Sequence, residues 1–107
     1  MNGVELIAYE RKRQIDEEGW DEEHDDEHDA GELAIVAACY AAAGDEDVHV
    51  LRFGVDTRDS HLPAIIDAWP ESWDPKCDKR KQQSHRRRLM IAGALIAAEL
   101  DRLQRQV

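Results

Sequence analysis

Eleven of the seventeen residues from Asp16 to Glu32 are Asp or Glu, and His24 and His28 sit among them. Carboxylates this dense repel one another unless a metal ion or cationic side chains compensate them. The chain is therefore limited to folds that bring positive charge to this stretch. A merely solvated acidic loop needs neither the tryptophan at position 20 nor histidines four residues apart. We read the segment from Glu17 to Leu33 as metal-binding, with the rest of the chain folded over it.

With 107 residues the sequence suffices for one domain, spanning 1–107, and one core. Aromatic residues make up only 6% and alanine is frequent, which favours packed helices over a sheet sandwich. The predicted fold is all-α: a small bundle of about four helices with an irregular middle segment at 44–75. The net charge of -10 argues against a nucleic-acid polymer as partner, because phosphate attraction needs a basic surface, but leaves a single nucleotide open. No apolar run is long enough to span a bilayer, and Cys39 and Cys77 form no CxxC pair. The expectation is a soluble cytoplasmic protein (host-cell cytoplasm if viral) with no membrane partner, Cys39 serving as a small buried apolar residue.

Helical periodicity predicts a first helix over 3–18, with Val4, Ile7, Ala8 and Ile15 on one face. Arg11 and Glu18 fall in or beside that face and Gln14 at its edge, so an internal Arg11–Glu18 pair and a site role both remain open. Gly19 ends the helix. Asp29-Ala30-Gly31-Glu32 reads as a capping box opening a second helix over 30–43, apolar nearly all round and hence buried. Residues 47–55 suit a strand or hairpin arm and 62–69 a short helix. Trp69 and Trp73 are expected to pack as a lid or core plug, with base stacking as the alternative.

The last predicted helix covers 84–105, with Leu89, Ala92, Ile96, Leu100 and Leu103 as its apolar stripe. Glu99 lies near the centre of that stripe, and Asp101 and Arg102 lie off it. A carboxylate facing a core needs a cation, a metal or a hydrogen-bond network. Arg11 and a metal are both open as its partner. Before this helix and in its first turn, positions 76–88 hold seven of the fourteen Lys and Arg residues. They suit phosphates near a helix N-terminus, or simple neutralisation of the acidic segment.

Many hard oxygen donors and few soft ones favour magnesium or manganese over zinc. The His24–His28 spacing is that of a helical zinc pair, but Asp25 stands where HExxH requires Glu. His24-Asp25 also suggests the HD phosphohydrolases, which need further ligands over a longer chain.

ERKRQIDEEGW, EHDDEH, GEL and AACY resemble a family of small phage and prophage proteins with an ERxRQ…EGW…EHDD…H…GEL…AACYA core. The similarity resumes at WDPK and at RRRLMIAGALIAAELDRL and skips 44–68. More distantly, the layout resembles the all-α, MazG-like nucleoside triphosphate pyrophosphohydrolases. It departs from their EExxE and ExxD pattern, since Glu99 is followed at the third position by Arg102.

What this resemblance implies is a metal-dependent pyrophosphohydrolase acting on a (deoxy)nucleoside triphosphate. Glu18, Glu32 and Glu99 would be catalytic, and the same three with Asp25, Asp26 and His28 would bind magnesium or manganese. Lys76, Arg86 and Arg87 would steady phosphates, while Trp20 and Trp69 would meet the base. The alternative is an acidic phage accessory protein that binds a host protein or sequesters a nucleotide without turnover. A bundle this short, with one helix apolar nearly all round, is expected to form a homodimer or homotetramer.

Overall fold

A computed structural model describes residues 1–42 and 69–106 of the chain. Of these, 74% are helical and none is in a strand, consistent with a small all-α bundle. The described helices are α1 (Gly3–Glu18), α2 (Glu22–Asp26), α3 (Glu32–Ala42) and α4 (His85–Arg105), with 3-10 turns at Pro75–Cys77 and Arg80–Gln82. The strand expected at 47–55 and, but for Trp69, the helix expected at 62–69 lie outside the described residues.

Local chemistry sets the ends of α1. The Asn2 side chain accepts from the Glu5 amide and the Glu5 carboxylate accepts from the Asn2 amide, satisfying two amide donors at the start of the helix. Gly19 closes the helix at φ 74, its N–H donating to Gln14, a conformation that costs glycine nothing. The bounds 3–18 match the sequence reading.

The acidic run is more ordered than that reading allowed. Asp21 caps α2 by accepting from the His24 amide, so Glu22–Asp26 is helical although no helix was expected there. The capping box at Asp29 is corrected in part. Helix α3 starts at Glu32 rather than Ala30, and Glu32 reaches back to the Ala30 amide at 3.0 Å.

α3 and α1 both pack on α4. Leu33, Val36, Ala37 and Tyr40 of α3 meet Ile91, Ala92, Leu95 and Ala98 of α4, and Trp20 and Trp73 close the core. α3 buries one face, through Leu33, Val36, Ala37, Cys39 and Tyr40, while Ala34, Ala38, Ala41 and Ala42 are exposed, so it is less completely buried than expected. Trp73 is a core plug, as expected. Cys39 is buried.

Two faces are corrected. Of the stripe predicted on α4, only Ala92 is buried, while Leu89, Ile96, Leu100 and Leu103 are exposed. The helix instead buries Ala94, Leu95 and Ala98, together with Arg88 and with Arg102, the latter placed off the stripe from sequence. Its small alanines let α3 approach closely, and that contact outweighs the alternative face. On α1, Val4 and Ile15 are exposed and the fully buried residues are Glu10 and Gln14. Glu10 is tolerated because Arg13 and Arg87 pair with it, and Gln14 donates to the Ile91 carbonyl. Among the described residues no helix is long and apolar enough to cross a membrane.

Candidate functional site

A recess of about 290 Å³ opens where the end of α1, Tyr40 of α3, the 76–83 segment and the first turns of α4 converge. Its charged wall is Arg13, Lys76, Lys79 and Arg87, with Glu18 as the carboxylate; Trp20, Tyr40 and Ile91 supply apolar surface.

Each element is held in place by identifiable contacts. Ser84 caps α4 by accepting from the Arg87 amide, and from that first turn Arg87 reaches Glu10 at 2.9 Å. Arg13 spans the C-terminal half of α1, contacting Glu10 at 2.8 Å, Glu18 at 3.1 Å and Glu17 at 3.3 Å. Lys79 lies 3.9 Å from Glu18. The Tyr40 hydroxyl pins the connecting segment to α3, donating to the Cys77 carbonyl at 2.8 Å and accepting from the Lys79 amide at 3.0 Å.

Four cations therefore face one carboxylate on the wall, with Glu10 behind them, on a chain whose net charge is -10. Opposite charge gathered in a concave place focuses the local field toward anions. Hydrogen bonds to Glu10 hold the Arg13 guanidinium charged well beyond its ordinary range. Burial pushes the Tyr40 hydroxyl up to about 12 and raises the Cys77 thiol, so both stay neutral and Cys77 is not an activated nucleophile. The arrangement suits recognition of an anion with several oxygens, because Arg and Lys together offer forked and point-charge donors.

Of the residues singled out from sequence, Glu18, Trp20, Lys76 and Arg87 come together here. Trp20 is largely buried, with its ring stacked on His24 at 5.9 Å, so it offers the recess only part of its surface. Arg86 lies elsewhere, at an apolar groove between α1 and α4. Trp69 packs against Tyr40 and stacks with Arg80 at the edge of the core.

The remaining predicted ligands are distributed among partners of their own. Asp25, fully buried, meets Arg11 at 2.6 Å and His24 at 3.0 Å. Asp26 pairs with Arg105 at 2.8 Å, His28 with Glu32 at 3.2 Å, and Glu99 with Arg102 at 3.1 Å. Arg11 thus takes Asp25 and the Trp20 carbonyl, replacing the expected pairs with Glu18 or Glu99. Glu18, Glu32 and Glu99 share no hydrogen-bond or ion-pair partner among the described residues. Nor is any group of three or more His, Cys, Asp or Glu placed there to hold a metal ion. In this arrangement each of these carboxylates is engaged by an arginine, a lysine or a histidine.

The two histidines form an aromatic wall instead. Their rings lie 4.8 Å apart, and both pack on Trp73, at 4.7 Å for His28 and 5.3 Å for His24. Sequence reasoning missed Glu10, Tyr40 and Arg13. The available signal was two arginines flanking Lys12 just after Glu10, with a second basic run far along the chain. Comparison with family models, with curated proteins and with solved structures returns no match.

Proposed function

We propose that the chain binds a phosphate-bearing small molecule of the nucleotide class in this recess. The observation that carries the reading is Arg13, Lys76, Lys79 and Arg87 gathered beside Trp20 and Tyr40 on a strongly acidic chain. The cations meet the phosphate oxygens, and the exposed part of Trp20 borders the remainder of the ligand. A nucleic-acid polymer is disfavoured, because the surface beyond the recess repels a long polyanion. The ligand is a cytoplasmic metabolite, of the host cell where the chain is viral.

Hydrolysis of a (deoxy)nucleoside triphosphate, the activity implied by the MazG-like resemblance, is the second reading. Glu18 favours it as a carboxylate on the same wall as the phosphate-binding cations. Divalent-metal chemistry would require the carboxylates to exchange their present partners, so no step is assigned to a metal.

Thermal unfolding and calorimetric titration test the proposal with nucleoside mono-, di- and triphosphates, in EDTA and then with manganese. A triphosphate at about 100 times its dissociation constant adds about 2.7 kcal/mol to stability. We expect a stabilising shift in EDTA that a Lys76→Ala/Lys79→Ala variant loses, both lysines being well exposed. No shift with any nucleotide under either condition overturns the reading. Release of pyrophosphate or phosphate only with manganese, abolished by Glu18→Gln, selects the hydrolase.

A further inference from the structure

The exposed side of α4 has an order that chance solvent exposure does not produce. Leu89, Ile96, Leu100 and Leu103 share one face at steps of seven, four and three residues, the spacing of a helix seam that packs into another helix. All four are large apolar residues with roughly half their surface in solvent. Gly93 abuts Ile7, so the seam borders the α1–α4 junction, where an apolar groove of about 580 Å³ is lined by Leu6, Ile7, Leu89 and Met90. Val4 and Ile15 of α1 are likewise exposed.

We propose that this face is covered by a second copy of the chain, the two α4 helices crossing antiparallel with Ile96 on the two-fold axis. Three observations select that occupant. The first is self-complementarity: Leu89 and Leu103 each lie seven residues from Ile96, so antiparallel pairing sets Leu89 of each copy opposite Leu103 of the other. The second is charge. Two chains of net charge -10 repel, so contact must avoid unpaired carboxylates; beside the seam Ala97 and Gln104 carry no charge, and the flanking Glu99 is paired with Arg102 of its own helix. The third is area. The four α4 side chains with Val4 and Ile15 expose on the order of 500 Å² of apolar surface, more than half of the roughly 800 Å² that each partner buries in a standard interface. The pairing is independent of whether the basic recess takes a nucleotide.

Light scattering on the full chain tests it. The expected mass is twice the 12.2 kDa of one chain. Ile96→Glu and Leu100→Glu should each lose the two-chain species while keeping the helical circular dichroism, since both residues are solvent-facing within one chain. As a second measurement, Ile96→Cys with Cys77→Ser should cross-link to itself under mild oxidation, whereas Lys12→Cys in the same background should not. A single-chain mass for the native protein, a two-chain mass that survives Ile96→Glu, or equal cross-linking at both positions overturns the proposal.

Discussion

Gly93 of α4 lies directly against Ile7 of α1: a Cβ built at 93 would sit 2.6 Å from Ile7 Cδ1 and 2.7 Å from Cγ1. The two helices approach as they do because one of them has no side chain at that point. Glycine inside a helix costs about 1 kcal/mol relative to alanine, so Gly93→Ala would stabilise α4 if space allowed. It does not, and overpacking of this kind costs about 1–3 kcal/mol. We expect a net loss of about 1 kcal/mol for Gly93→Ala. The Ile7→Ala/Gly93→Ala double variant should be more stable than the sum of its parts, read by urea denaturation as a coupling of about 1 kcal/mol. Additive effects would mean that the helices do not meet here.

Glu10 connects folding to the recess. It is fully buried between Arg13 and Arg87, and removing one partner of a buried pair costs about 3–5 kcal/mol. Both arginines keep some access to water, so Glu10→Gln should fall at or below the lower limit of that range, about 2–3 kcal/mol. The same change releases two guanidinium groups at the recess wall. The variant should melt earlier in urea yet bind a triphosphate several-fold more tightly at low salt. Weaker binding would show that Glu10 positions the arginines for the ligand.

Helix positions were legible in this sequence, but the choice of buried face was not. Asn2 and Gly19 bracket α1, and Ser84 opens α4, because caps are local chemistry. α4, however, carries two apolar faces, one through Ile91, Leu95 and Ala98 and one through Leu89, Ile96 and Leu100. Periodicity identifies both without saying which a neighbour covers. α2 was missed because its acidic residues repel one another locally. Its compensation comes from Arg11 and from Arg105, which lies far along the chain. The same distance effect divides the site. Lys76 and Arg87 stand out within a basic run, whereas Arg13 gains its place in the site only through the fold, which sets Glu10 and Glu18 beside it.

Adjacent acids on α2 should behave oppositely. Asp25 is fully buried against Arg11, while the Asp26 side chain is 52% exposed in its pair with Arg105. Asp25→Asn should cost about 2–3 kcal/mol, because it leaves Arg11 poorly compensated in a partly buried place. Asp26→Asn should cost less than about 1 kcal/mol, as exposed pairs do. Urea midpoints for the two variants decide it, and similar losses would mean that Asp25 does not meet Arg11 as described.

Tyr40 gives the fold an alkaline limit. Its hydroxyl joins the Cys77 carbonyl to the Lys79 amide, and burial raises its pKa from 10.0 to about 12. The neutral form is favoured in the folded state, so this contribution is complete below pH 10 and is lost as pH rises through about 12. In a Tyr9→Phe background, where Tyr40 is the remaining tyrosine, tyrosinate absorbance should appear late and coincide with loss of helical circular dichroism. Adding Tyr40→Phe should cost about 1 kcal/mol at neutral pH, the worth of the shared hydrogen bonds, and should flatten the decline in stability above pH 10. Ionisation of Tyr40 near pH 10 with the helices intact would show that the 76–79 segment does not close over it.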